Sequence, residues 1–204
     1  LVAEGVDLII TVDTGITAIN EVEYARSLGI DIVVTDHHEC QEQIPDAVAV
    51  VNPHRDDCEY PFKQLAGDGV IFKGICAYEI LYVFGKENEI DAVKSIYYRF
   101  ADLVAIGTIA DVMPIVDENR MIVKLGLSIL EKSPRLGLLA LMEAAALGSN
   151  PNVRPAVDNS KQSRPRKINS TYIGFTIAPR INAAGRISSA TRAVELLLSD
   201  DVNQ

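Results

Sequence analysis

Two apolar runs near the start, Leu8, Ile9, Ile10 and Val12, then Ile30, Ile32, Val33 and Val34, each end abruptly in polar residues. Continuous apolar runs of this length are what strands covered on both faces look like. Between them Ile19, Val22, Ala25 and Leu28 recur every three residues, a stripe with which a helix faces a sheet. Thr17 reads as its N-cap, Glu21 and Glu23 suit its positive end, and Gly29 closes it. The pattern predicts a βαβ unit, whose right-handed crossover leaves the strands parallel and brings their polar termini to one carboxyl edge. Those termini are Val12-Asp13-Thr14-Gly15 and Thr35-Asp36-His37-His38, their aspartates 23 positions apart.

Farther along, residues 47–51 predict a third strand ending at Asn52-Pro53-His54-Arg55, and the charged stretch 55–62 reads as a loop. After Gly67-Asp68-Gly69 the apolar positions from Val70 to Phe84 predict a core helix closed by Gly85. Residues 92–103 predict another helix, leading into a separate apolar segment that delivers Asp111, with Pro114 preventing helix from running on. Helices are predicted over 118–131 and 135–147, and over 170–178 and 189–198, with Pro179 to Arg186 between the last two. The expected fold class is α/β, a parallel sheet flanked by helices and followed by a helical extension. Its expected organisation is a core over 1–147, a linker or insertion over 148–168 rich in Pro, Asn, Ser and Arg, and a helical segment over 169–204. The chain starts at Leu1 and enters a strand directly, which suggests a piece of a longer protein.

At 204 residues, 48% hydrophobic and 23% charged, the chain can bury a sizeable core. It contains no apolar run long enough to span a membrane and no signal-like leader, so a soluble, cytoplasmic protein without a membrane partner is expected. Cys40, Cys58 and Cys76 form no CxxC pair, which argues against a disulfide framework or zinc knuckle. A net charge of −9 speaks against nucleic acid until its distribution is considered. Between Pro151 and Arg192 lie Arg154, Lys161, Arg164, Arg166, Lys167, Arg180, Arg186 and Arg192 against Asp158 alone, a net of +7, while the remainder carries −16. A phosphate-binding face joined to an acidic, metal-binding body has this asymmetry; a solvated basic loop has it too.

Asp13, Asp36, His37, His38 and Asp111 are three carboxylates and two imidazoles, each at the end of an apolar segment. Oxygen and imidazole donors without thiolate favour Mn²⁺ or Mg²⁺. A pair of such ions activates water and clamps the oxygens of a phosphoryl displacement, so hydrolysis of a phosphodiester or phosphoanhydride is the chemistry these residues fit.

Val12-Asp13-Thr14-Gly15, Asp36-His37-His38, Gly107-Thr108-Ile109-Ala110-Asp111 and Arg180-Ile181-Asn182-Ala183-Ala184-Gly185-Arg186 resemble, in order, the motifs of the DHH phosphoesterases. The last motif resembles the RecJ branch, single-stranded-DNA-specific 5′→3′ exonucleases of DNA repair and recombination. The resemblance covers nearly the whole chain except 150–167, which looks like an insertion. It implies that Asp13, His37 and Asp111 hold two Mn²⁺ or Mg²⁺ ions, with Asp36 and His38 orienting ligands or touching the scissile phosphate. It also implies that Arg180, Asn182 and Arg186 contact phosphates of single-stranded DNA, that Asn52 and His54 support the ligands from behind, and that partners include a single-stranded-DNA-binding protein or a helicase. The family's opening Asp-x-Asp motif and its C-terminal domain are missing here, so this chain alone is expected to bind metal weakly, with one ion, and to have little nuclease activity.

Three other readings use the same residues. A DHH relative acting on small substrates, such as a pyrophosphatase or a phosphodiesterase of oligoribonucleotides or cyclic dinucleotides, shares the metal residues but needs no basic track. A non-catalytic binding module would use the basic segment alone and has no evident need for Asp13, His37 and Asp111. Asp13-Thr14-Gly15 also spells the aspartic-protease triplet, but that fold needs two triplets in an all-β frame, and here there is one.

Overall fold

The structure is a computed structural model that describes residues 1–149, 168–187 and 189–199. Three parallel strands, β1 (Leu8–Val12), β2 (Asp31–Thr35) and β3 (Ala49–Val51), lie in the order β1-β2-β3, with Val12 opposite Thr35 and Thr35 opposite Val51. All three therefore end at one edge. α1 (Ile19–Ser27) crosses between β1 and β2 and buries Val22 and Ala25 against Ile30, Ile32 and Val34.

The expectation for this unit needs three corrections. Ala18 rather than Thr17 stands at the N-cap, without a side-chain bond, and Leu28 is exposed just past the helix end. Gly29 is in the left-handed region as expected, at φ 77°. β1 is covered on one side only: Leu8, Ile10 and Val12 are 50%, 53% and 43% exposed.

The remaining described elements are helical: α2 (Gly67–Tyr78), α3 (Glu89–Ala110), α4 (Asp117–Lys132), α5 (Leu136–Ser149), α6 (Ser170–Tyr172), α7 (Ala178–Ile187) and α8 (Ala190–Leu198). α2 starts at Gly67 itself and widens into a π-type stretch over Glu79–Phe84 before Gly85, at φ 81°, ends it. The segment before Asp111 is not a separate element. It is the last part of the 22-residue α3, because Ala101, Val104, Ala105 and Thr108 are buried at helical spacing. Pro179 to Arg186 likewise lies within α7 rather than between helices.

α3 is the spine of the helical layer. Ile96, Ala101 and Val104 pack with Phe72 and Cys76 of α2 and Ile122 of α4. Ile106 packs with Leu130, Leu138, Ile168, Ile173 and Ile177, tying α4, α5 and the α6–α7 segment to the end of α3 that carries Asp111. Gly126 of α4 meets α3 so closely that a β-carbon there would fall 2.2 Å from the Ala101 carbonyl oxygen. Asp102, buried, is paired by Arg135 Nε at 2.8 Å, which fixes the start of α5. Cys40, Cys58 and Cys76 are free thiols. No helix among the described residues is long and apolar enough to cross a membrane. The proposed insertion over 150–167, with Arg154, Lys161, Arg164, Arg166 and Lys167, lies outside the described residues.

Candidate metal centre

The strand ends are shaped by a few bonds, two of them between residues distant in sequence. Thr35 Oγ1 donates to the Thr11 carbonyl at 2.6 Å, Thr11 Oγ1 to the Thr14 carbonyl at 2.7 Å, and the Asp13 N–H to the Thr35 carbonyl at 3.0 Å. Asp13 takes a left-handed conformation, φ 61°, uncommon for a residue with a β-carbon. This turns its carboxylate over the start of α2, where a β-carbon on Gly67 would stand only 2.3 Å from Asp13 Oδ1. Glycine is thus required there for the approach of a carboxylate to the positive end of a helix.

Asp36 is 1% exposed and has both carboxylate oxygens engaged. Oδ2 accepts from the Ile16 N–H at 2.9 Å, while Oδ1 accepts from the His37 N–H at 2.8 Å and the His38 N–H at 3.3 Å and lies 2.7 Å from His38 Nδ1. Burial pushes this carboxyl up, but the bonds from Ile16, the His38 ring and the two histidine amides outweigh it and bring it below its ordinary value. The bond to Asp36 in turn raises His38, against a smaller opposing effect of burial. Asp36 is placed to hold the loop and orient His38. Asn52 does similar work from β3: its amide donates to the His38 carbonyl at 2.9 Å and its oxygen accepts the His54 N–H at 2.8 Å. His54 Nδ1 lies 3.2 Å from Glu39.

His37 is 9% exposed, and its Nε2 lies 3.0 Å from Asp13 Oδ1 and 3.4 Å from Asp111 Oδ2 without hydrogen-bond geometry to either. Lone-pair donors from β1, β2 and α3 that converge without bonding to one another have the arrangement a cation needs. Asp13, His37 and His38 each offer a ligand atom within 4.8 Å of the others, so His38 joins the donors expected from the sequence, with Asp36 behind it as the second carboxylate that commonly orients a metal-binding imidazole. Asp111 stands just past the last turn of α3, its N–H bonded to the Gly107 carbonyl at 2.9 Å. A carboxylate at a helix C-terminus is electrostatically unfavourable, and a cation held by it and Asp13 would relieve that. The residues present therefore fit a divalent metal.

Sequence reasoning missed Asp68, which read as loop punctuation. Asp68 is in the first turn of α2, mostly buried, with Oδ1 lacking any partner. Burial, with lesser contributions from Asp13 and Asp111, pushes its carboxyl up to about 7. The sequence signal was a carboxylate between two glycines at the start of an otherwise apolar helix.

Arg180, Asn182 and Arg186 lie on α7, and Arg180 and Arg186 stand exposed. Arg180 Nη1 turns back to the Thr176 carbonyl at 2.7 Å, while Asn182 and Arg186, four residues apart, share a helix face.

Residues 2–108 match the family model described as the DHH family, N-terminal domain. The chain belongs to the DHH family. It is 43% identical to the single-stranded-DNA-specific exonuclease RecJ of Bacillus subtilis over 97% of its own length, which is 21% of the relative's. Among solved structures, exonuclease RecJ bound to manganese superposes with a TM-score of 0.73 at 33% identity, covering 98% of this chain and 44% of that one. RecJ of Thermus thermophilus in complex with Mn²⁺ superposes with a TM-score of 0.68, also at 33% identity, covering 98% of this chain and 26% of that one. The chain thus spans between 21% and 44% of the length of these DHH relatives.

Proposed function

We propose that the protein carrying this chain is a metal-dependent 5′→3′ exonuclease that hydrolyses phosphodiester bonds of single-stranded DNA. The observation that carries this reading is the unpartnered His37 Nε2 between Asp13 and Asp111; the relative that is a single-stranded-DNA-specific exonuclease and the similar solved structure of exonuclease RecJ bound to manganese support it. Asp13, His37 and Asp111 hold the metal, Mn²⁺ or Mg²⁺, and His38 adds a donor. A divalent ion at that point supplies a Lewis acid for the phosphate and a water acidic enough to attack it. Asp36 keeps His38 oriented, and Asn52 and His54 brace the loop that carries both histidines. Arg180, Asn182 and Arg186 hold the phosphates of the strand, positioning it without reading bases.

The setting that accompanies this reading is DNA repair and recombination in the cytoplasm, beside a single-stranded-DNA-binding protein or a helicase. The test is Mn²⁺-dependent degradation of a 5′-phosphorylated single strand next to a dinucleotide, with Asp111→Ala as control. Loss of the long strand that depends on Asp111 is the expected result. Cleavage of the dinucleotide alone overturns the reading in favour of a small-substrate phosphodiesterase, and strand binding without any cleavage favours a binding module.

A further inference from the structure

Asp68 and the preceding Gly67 join the two elements that deliver Asp13 and Asp111. Gly67 lies under Asp13. Asp68 itself lies against α3: a β-carbon on Gly107, one turn before Asp111, would fall 2.0 Å from Asp68 Oδ2. The first turn of α2 is therefore wedged between the end of β1 and the end of α3, and Asp68 faces the same space as the two carboxylates already assigned. Its Oδ1 is buried and accepts no hydrogen bond.

A carboxylate in this position costs stability. It is desolvated, it adds negative charge beside Asp13 and Asp111, and an uncharged residue of similar volume in a buried site is usually neutral or stabilising. A second orphan, His37 Nε2 on a side chain 9% exposed, lies against the same two carboxylates, Asp13 and Asp111, and a cation among them would offset that cost. Asp111 Oδ2 comes within 3.4 Å of His37 Nε2 and Asp13, His37 and His38 converge within 4.8 Å, whereas Asp68 makes no ion pair with His37, so its contact with the ion would run through water.

We propose that Asp68 is a positioning residue of the metal centre, its carboxylate accepting hydrogen bonds from water carried by the ion that Asp13, His37 and Asp111 hold and so strengthening metal binding. This rests on the metal reading of the site given above. Groups that orient a metal's ligands from behind contribute roughly 10- to 100-fold in affinity.

The experiment is calorimetric titration of Mn²⁺ into the protein that carries this chain, as wild type, Asp68→Asn and Asp68→Ser, with melting temperatures in the presence and absence of the ion. In whichever variant folds, Mn²⁺ affinity is expected to fall about tenfold or more. The metal-free melting temperature is expected to stay level or rise, and the Mn²⁺-induced increase to shrink. Affinity equal to wild type in the folded variants overturns the inference while leaving the metal site intact. Failure of the wild type to bind Mn²⁺ overturns both this inference and the reading of the site.

Discussion

The corner where β1, β2 and α3 end and the surface of α7 both present charged side chains, and they are built in opposite ways. At the corner, geometry comes from bonds between residues distant in sequence: Ile16 to Asp36, Asn52 to His38, Thr35 to Thr11. Asp36 commits its whole charge to this scaffold, so His37 and His38 are held in place before any ligand arrives. On α7, Arg180 and Arg186 are exposed, and the bond from Arg180 to Thr176 is local. Pre-organisation suits groups that must act on one atom of a bond, whereas flexible surface cations suit a polyanion that is gripped at many equivalent points. The difference predicts that substitutions in the two regions fail in different ways.

The largest effect should come from removing a converging donor. In the protein that carries this chain, Asp13→Ala or Asp111→Ala is expected to lower nuclease turnover by about 10³-fold or more, because a metal contributes several kcal/mol of transition-state stabilisation, while strand binding through α7 persists. Paired turnover and fluorescence-anisotropy measurements check this; loss of strand binding in parallel would erase the distinction between the regions. Asp36→Asn is next. It keeps the shape but puts an amide where four donors converge, so Mn²⁺ affinity measured by calorimetry should fall about 10- to 100-fold, although Asp36 is not itself a donor to the ion.

A third effect separates the corner's scaffold from its orphan. The Asp68 carboxyl is held at about 7 against an ordinary value of 3.8. Between those values the unfolded chain has already released the proton that the folded metal-free protein retains, so stability falls as pH rises through that window. Each pH step of one across it costs at most about 1.4 kcal/mol. Denaturant melts in chelator from about pH 4 to about pH 7.5 should show a steeper decline for wild type than for Asp68→Asn; parallel curves would mean that Asp68 ionises freely. The smallest effect belongs to α7. Arg186→Ala should weaken binding of all single strands alike and reduce the slope of log affinity against log salt by about 1, leaving dinucleotide cleavage unchanged.

The same contrast explains what could be read in the sequence. The βαβ unit is legible because period and punctuation agree there: apolar runs for β1 and β2, a stripe of three-residue spacing for α1, and Gly29 at its close. Asp13, His37 and Asp111 are legible because each ends an apolar segment. The last turns of α3 are not, since the apolar segment that delivers Asp111 reads as separate from the helix over 92–103, whereas in the fold Gly107 admits Asp68, a contact across 39 positions that no local pattern reports. Asp68 escapes for the same reason, as its neighbours in sequence are glycines and its neighbours in space are Asp13 and Gly107. The motif from Pro179 to Arg186 looks like a connection because of its proline and glycine. Yet Pro179 lies inside a continuous helical run from Ser170 to Ile187, just after the π-type stretch Ile173–Ile177, where the regular i→i−4 ladder is already interrupted and a missing N–H is accommodated.

The bare side of β1 bears on handling rather than chemistry. Among the described residues β1 pairs only with β2, so its other edge offers backbone donors and acceptors to any incoming strand, and Leu8, Ile10 and Val12 line the adjoining face. Such an edge is a template for aggregation. A preparation of these 204 residues alone is expected to self-associate at concentrations where a version with that edge covered remains monomeric, and a lysine in place of Ile10 should restore solubility without touching the metal donors.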